Sequence, residues 1–356
     1  MHVEHAIVGA GLIGGYLAAH LADVTLQLQS DARLLVVGRD YAKCQFGPRM
    51  TISDFATPGQ TRDTQNIEFV TNTSSWASTE RYPNVVWLSI KCTGIKQVVP
   101  DIRPLIGPQT IIVCCQNGIG SDAVIRQAFP DNPVIRCMFP FNVVQLNTGH
   151  FHRGSSGRVM LERLPVGQYP VFDDFYQRFS PVIDALNEQY GEVFPFAWCS
   201  NMDALLWAKC QVNLTNSVNA LSNLSLKETL LDKGYRKIIA LMMQEHLAVC
   251  AAQGIALPKI TKVAAKFIPT VLRLPNWLFS RVAKSMVDID PHAKLSMWWD
   301  LDQGRATEID FINGATMIAG KRLGIDTPMN NIVYAAIKTM EKAPTRYALS
   351  AQDLLK

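Results

Sequence analysis

The stretch Ala6–Leu21, AIVGAGLIGGYLAAHL, decides how the rest of the chain is read. Three apolar residues, Ala6, Ile7 and Val8, form a short strand that runs into Gly9-Ala10-Gly11-Leu12-Ile13-Gly14 and then into an apolar helical run. In a G-x-G-x-x-G turn each glycine has its own physical reason. Gly9 permits the tight turn, Gly11 lets backbone N–H groups approach a pyrophosphate, and Gly14 lets the helix pack close to the strand. The anion rests on the positive end of the helix dipole. Gly9, Ala10, Gly11, Leu12, Ile13 and Gly14 are therefore expected to cradle a dinucleotide. A signal peptide or membrane anchor is the competing reading, because Ala6–Ala22 carries no Asp, Glu, Lys or Arg. It is disfavoured because Met1–His5 has no Lys or Arg, and the run is too short and too glycine-broken to span a bilayer.

The 356 residues suit two domains, with a boundary expected near Asn201: a nucleotide-binding domain over 1–200 and a helical domain over 201–356. A composition 48% hydrophobic and 18% charged is that of an ordinary globular protein. The net charge of +4 is too mild for a nucleic-acid binder and suits an anionic cofactor or substrate. The 8 cysteines include no C-x-x-C pair and, with Cys114, Cys115 and Cys137 inside apolar runs, read as reduced, buried thiols of a cytoplasmic protein. The histidines form no H-x-x-x-H or Cys/His cluster, so no metal is expected. Neither a nucleic-acid nor a membrane partner is expected.

Beyond the first helix the pattern alternates. Arg33–Val37 reads as the second strand, ending in Gly38-Arg39, with the extra residues around Thr25–Ser30 lengthening the first helix or its exit loop. An NAD-binding fold usually places Asp or Glu at this strand end to hold the ribose 2′-hydroxyl. Arg39, with Lys43 close behind, suits a 2′-phosphate instead, which favours NADP(H). Met50–Thr73 reads as a short β excursion. Asn84–Ile90 and Thr110–Cys115 are buried strands, followed by Lys91 and by Gln116-Asn117-Gly118. Helices fit at Ile95–Leu105, Asp122–Phe129 and Phe172–Tyr190, and a last strand at Val193–Ala197. Ligands gather at the carboxyl ends of strands in an open parallel sheet, so Lys91 and Asn117 fall on the same edge as the glycine turn. The fold class expected is an α/β, Rossmann-type, doubly wound N-terminal domain followed by an all-α C-terminal domain. Its helices are read at Asp203–Leu221, Leu230–Ala252, Ala306–Leu323 and Asn330–Lys342, with a proline-broken apolar stretch at Leu257–His292.

Two stretches of the helical half carry polar residues where a plain bundle would want apolar ones. In Leu206–Ser217, Lys209, Asn213 and Asn216 stand at i, i+4 and i+7 and share one helical face. In Arg305–Gly314, Glu308 sits among core-type residues.

The glycine turn, Lys91, the Gln-Asn-Gly of 116–118, Leu-Trp-x-Lys-x-x-x-Asn of 206–213 and Thr-Glu-Ile-Asp-x-Ile-Asn-Gly of 307–314 occur in one order. This ordered set resembles the ketopantoate reductases, from the start of the chain to about residue 325. The resemblance implies NADPH-dependent reduction of 2-dehydropantoate to pantoate, on the route to pantothenate and coenzyme A. It implies that Lys209 is the catalytic lysine, Asn213 a substrate ligand, Glu308 the acidic active-site residue and Ser296 the holder of the substrate carboxylate. Lys91 and Asn117 then match cofactor- and substrate-side positions, and Arg39 the 2′-phosphate ligand. Some members carry an asparagine eight residues after the lysine, where this chain has Ser217; others carry it at seven, as Asn216 is here.

The chemistry stands without the family. Hydride transfer to a 2-oxo acid builds negative charge on the keto oxygen, which needs a proton donor within reach. Lys209 can supply that proton, its pKa lowered by desolvation, while Asn213 and Asn216 bind oxygens of the substrate. Glu308 either accepts a hydrogen bond from a substrate hydroxyl or orients Lys209. Two other readings remain open at this level: a paralogous reductase of another 2-oxo acid, and a non-catalytic NADP(H)-binding sensor. A homodimer is compatible with the sequence but not fixed by it.

Overall fold

The structure is a computed structural model that describes residues 5–28, 34–54, 59–74, 82–190, 196–283 and 290–356. Ser30, Arg33, Val193 and residues 284–289 of the proline-broken stretch therefore lie outside the described residues. Contacts divide the chain into one unit of Met1–Asn117 with Ser121–Met202, and another of Gly118–Gly120 with Asp203–Lys356.

The first unit is α/β. Strand β1 (His5–Val8) leads into α1 (Leu12–Leu28), which runs through Thr25 as the sequence suggests, and β2 (Leu34–Val37) follows. β3 (Arg49–Asp54), β4 (Gln60–Asp63) and β5 (Ile67–Val70) fill the expected β excursion. Next come β6 (Val85–Leu88), α2 (Ile95–Ile102), β7 (Ile111–Cys114), α3 (Ser121–Ala128) and β8 (Val134–Met138). The unit closes with β9 (Val143–Asn147), β10 (His150–Arg153), β11 (Val159–Glu162), α4 (Pro170–Tyr190) and β12 (Phe196–Cys199).

Eight strands form one sheet in the order β12-β11-β8-β7-β6-β1-β2-β5. From β8 to β5 every pair is parallel, and β11 turns antiparallel to β8. Neighbouring residues of each central strand go to opposite cores. Ile7, Leu34, Val36, Val85, Trp87, Ile111 and Val113 pack with Tyr16 and Leu17 of α1. Ala6, Val8, Leu35, Val37, Val86 and Leu88 pack with Ile95 and Val98 of α2 and Ile125 of α3. A strand buried on both faces cannot show polar alternation, which is why these segments read as continuous apolar runs. β1 lies between β2 and β6, so the strand order reverses at its carboxyl end, where such sheets bind ligands. A second sheet, β4-β3-β10-β9, pairs β3 parallel to β10.

The second unit is helical: α5 (Met202–Ser222), α6 (Leu226–Leu231), α7 (Lys233–Ala252), α8 (Ile268–Leu272), α9 (Asn276–Val282), α10 (Ser296–Asp302), α11 (Asn313–Leu323), α12 (Pro328–Met340) and α13 (Ala351–Leu354). Two helices read as continuous in the sequence are broken. Asp232 divides α6 from α7, because its carboxylate accepts the N–H groups of Gly234 and Tyr235 and starts a new helix. In Ala306–Leu323 a 3-10 turn at Ile309–Phe311 comes first, and the α-helix begins only at Asn313. No helix among the described residues is long and apolar enough to cross a membrane.

Candidate active site

In the α/β unit the glycines act as their spacing requires. Gly9 has φ of 109°, and a Cβ there would lie 2.6 Å from the Ser89 carbonyl oxygen at the end of β6. A Cβ on Gly14 would lie 1.9 Å from the Gly9 oxygen, so α1 crosses the strand end at backbone contact. A Cβ on Gly11 would meet nothing within 4 Å. Open space at the middle glycine, beside the first turn of a helix with no acidic residue in it, is what an approaching pyrophosphate requires. Residues 9–14 thus fit a dinucleotide. Gly38, to which the sequence assigned no role, is equally constrained: its Cβ would lie 2.4 Å from that of Ala10.

Arg39 is exposed just beyond β2 and leads into a 3-10 turn at Asp40–Gln45. A cleft of about 250 Å³ opens there, lined by Asp40, Lys43, Phe69, Val70, Thr71 and Asn72. Asp40 went unremarked in the sequence because it falls one residue past the strand-end arginine. On the same sheet edge, Lys91 and Asn117 are exposed. The Cys92 thiol donates to the Asn117 carbonyl at 2.8 Å, and the Gln116 amide to the Leu88 carbonyl at 2.6 Å. These bonds pin the ends of β6 and β7 together and fix where Lys91 and Asn117 emerge.

The helical unit gathers the other expected residues. Lys209 is half-buried on α5, and burial lowers its ammonium below the ordinary 10.5. One turn on, Asn213 is 9% exposed. Neither side chain hydrogen-bonds or ion-pairs with any described residue. Asn216 continues the face and donates weakly to the Ser296 hydroxyl at 3.4 Å. Ser217 is fully buried and donates to the Leu214 carbonyl at 2.9 Å, so Asn216, not Ser217, faces the site. Ser296 opens α10 beside Leu295, whose N–H donates to the Asn219 side-chain oxygen at 3.0 Å and holds α10 against α5.

Glu308 is half-buried at the start of the 3-10 turn. The turn is held from several sides. Cys210, next to Lys209, contacts the Ile312 carbonyl at 3.5 Å. Ile119 N–H donates to the Phe311 carbonyl at 2.9 Å. Asn313 donates to Asn330 at 3.0 Å, and Asn330 in turn to Glu245 at 2.7 Å. A histidine ties α7 to α5 two residues before Lys209: the fully buried His246 sits 3.0 Å from the Trp207 carbonyl and 2.8 Å from the Thr316 hydroxyl. The carbonyl can only accept, so His246 donates through Nε2 and accepts at Nδ1 as a neutral ring. Burial lowers its pKa to about 4. Sequence inspection missed this tie, since a lone histidine in an apolar helix gives no sign of its partners. No group of three or more potential metal ligands occurs among the described residues.

Comparison with known proteins shows the family. The family profile Ketopantoate reductase PanE/ApbA matches residues 5–165, and its C-terminal counterpart matches residues 201–341. A 2-dehydropantoate 2-reductase of Streptococcus pyogenes serotype M6 is 26% identical over 72% of this chain and 76% of its own length. The crystal structure of 2-dehydropantoate 2-reductase from Methylococcus capsulatus is 25% identical, with a TM-score of 0.69 over 95% of this chain and 96% of that one. A D-mandelate dehydrogenase solved with NADH and anilino(oxo)acetate shares the fold, at 20% identity and a TM-score of 0.67 over 95% of this chain and 98% of that one.

Proposed function

The chain belongs to the ketopantoate reductase family, and from that premise we propose that it reduces 2-dehydropantoate to pantoate with NADPH, a step of pantothenate synthesis. The observation that carries the proposal is the pairing of an ammonium and an amide, Lys209 and Asn213, half-buried or buried on one helix face with no protein partner among the described residues. Polar groups held on one face with no protein partner are free to hydrogen-bond the oxygens of a ligand.

The dinucleotide, bound at Gly9–Gly14, supplies the hydride. Lys209 donates the proton to the keto oxygen as charge builds there, and its lowered pKa makes it the stronger acid for that task. Asn213, Asn216, Ser296 and Asn117 bind substrate oxygens. Glu308 accepts the hydrogen bond of the terminal hydroxyl. Arg39 holds the 2′-phosphate, with Lys91 on the same sheet edge assisting the cofactor. On this reading the protein acts in the cytoplasm, and a homodimer is compatible with it.

One observation favours a second reading of the cofactor: Asp40 lines the cleft next to Arg39, and a carboxylate there would accept from a ribose hydroxyl and so suit NADH. The test is decay of NADPH and of NADH absorbance on adding ketopantoate, with Lys209→Ala as control. Turnover with neither cofactor refutes the proposal and leaves the paralogue and sensor readings, which a series of other 2-oxo acids separates.

A further inference from the structure

The proline-broken stretch of the helical unit plays no part in the site above, and its surface is unusual. Residues 246–287 contain no Asp or Glu, yet carry six Lys or Arg (Lys259, Lys262, Lys266, Arg273, Arg281 and Lys284). The same stretch exposes large apolar side chains. Phe267 is 53% exposed, Trp277 71% and Val282 52%. Lys266, Phe267, Thr270, Arg273, Trp277 and Arg281, on α8, α9 and the residues flanking them, are all exposed. Basic and aromatic residues are thus mixed along the outer edge made by α8, α9 and their link.

This edge is held firmly in place. Arg236 is fully buried and spends its guanidinium on main-chain carbonyls of Leu230, Leu231, Leu272 and Leu274 and on the Asn276 side chain, at 2.7–3.1 Å. Its flat face lies 4.2 Å from the Phe279 ring centre. One side chain thereby fastens the end of α6, the α8–α9 link and the start of α9 to α7. Beside it, a cleft of about 560 Å³ is lined by Lys233, Gly234, Lys237 and Arg273. None of Lys233, Lys237, Lys266, Arg273 and Arg281 forms an ion pair with a described residue.

We propose that this edge, α8 and α9 with the Lys233–Lys237–Arg273 cleft, is a peripheral docking surface for an anionic membrane. Charge decides the occupant. A second copy of the chain meeting this edge face to face would set like charges against one another, which is destabilising. An anionic lipid surface complements them, and the cleft is wide enough for a headgroup phosphate. A nucleic acid would also complement the charge, and aromatic rings can stack on bases, but the exposed aliphatic Val282 gains nothing from it. Short helices lying flat, with Trp and Phe at the level of the headgroups and Lys or Arg around them, match the chemistry of an interfacial segment. The attraction falls off within a Debye length, so it acts only through the residues that reach the surface.

The test is co-sedimentation of the full chain with phosphatidylcholine vesicles and with vesicles containing phosphatidylglycerol. Expected is binding to the anionic vesicles alone, a blue shift of tryptophan emission that Trp277→Ser removes, and loss of binding in about 1 M salt. Each of Lys237→Glu and Arg273→Glu should weaken partition at least about fivefold, leaving the melting temperature and oxidoreductase activity unchanged. Equal binding to neutral vesicles, or none to either, overturns the proposal. So does tighter binding of a single-stranded RNA at the same salt, a dimer that Trp277→Ser dissociates, or saturation of the cleft by inorganic phosphate without vesicle binding.

Discussion

The Glu341 carboxylate accepts both the N–H and the hydroxyl of Thr307, at 2.8 and 2.7 Å. It also pairs with Lys338 at 2.9 Å, and Lys338 reaches Asp310 at 3.3 Å. The Tyr334 hydroxyl donates to the same Asp310 at 2.5 Å. Thr307 and Asp310 bracket Glu308, so the acidic residue stands on a turn clamped at both ends to α12. Glu341→Ala should cost about 1–3 kcal/mol, as expected for hydrogen bonds to a charged group, and lower kcat/KM for ketopantoate. Glu341→Gln, which keeps an acceptor, should recover much of both. Unchanged kcat/KM in Glu341→Ala would show that the clamp does not serve Glu308.

Lys209→Ala is expected to fold and bind NADPH, yet lose roughly 10²-fold or more in turnover, as for a missing general acid. The acid must be protonated to work, so activity should fall as pH rises through the Lys209 pKa, at a pH below the ordinary 10.5. Activity within a few-fold of the parent would remove Lys209 from the chemistry.

Arg39→Ala should weaken NADPH by about 1–3 kcal/mol and NADH much less, since only the former offers a 2′-phosphate to the guanidinium. Asp40→Ala should act in the opposite direction, relieving repulsion of that phosphate. Cofactor fluorescence titration measures both, and equal losses for the two cofactors in Arg39→Ala would exclude the arginine from this role.

An analogue that lacks the terminal hydroxyl forfeits the hydrogen bond proposed to half-buried Glu308. Reduction of 3-methyl-2-oxobutanoate should therefore be at least about 10-fold less efficient than that of ketopantoate. A kcat/KM series over 2-oxo acids checks this. Preference for a larger apolar keto acid would favour the paralogue reading and take the hydroxyl from Glu308.

Acid should destabilise the fold through two buried neutral histidines. His5, which accepts from the Trp87 indole at 3.1 Å, has a pKa lowered by burial to about 3, and His246 to about 4, against an ordinary 6.5. The unfolded chain takes up these protons first, so stability is full above about 6.5 and falls as pH drops towards the folded values. At pH ~5 each histidine contributes a loss of about 2 kcal/mol. Chemical denaturation at pH ~7 and ~5 should show the slope, and His246→Gln should remove its own share. An unchanged slope in that variant would mean that His246 does not titrate on unfolding.

Legibility in the sequence followed the range of the interaction. The glycine turn could be read because each residue answers to a neighbour a few positions away, as Gly14 does to Gly9. The face of Lys209, Asn213 and Asn216 could be read because helical spacing is local. The break at Asp232 was hidden because the apolar pattern continues across it, while the capping bonds that end one helix and start the next leave periodicity untouched. The pairing of β3 with β10 was invisible for another reason: His150 aligns with Thr51, and nothing within either segment names the other. The clamp on Glu308 likewise depends on Glu341, which in sequence looks like any helix-end carboxylate.

The segment Gly118–Gly120 has a consequence for synthesis. It counts among the helical unit, although the chain on either side of it belongs to the α/β unit. Gly118 holds φ of 109°, and a Cβ there would come 2.8 Å from the Phe311 carbonyl oxygen that its neighbour Ile119 bonds. These residues leave the ribosome long before the surface they pack on exists. The helical unit is therefore assembled from parts made at two different times, and a gene cut at residue 203 would yield a fragment without the stretch of chain that bonds its Phe311 carbonyl.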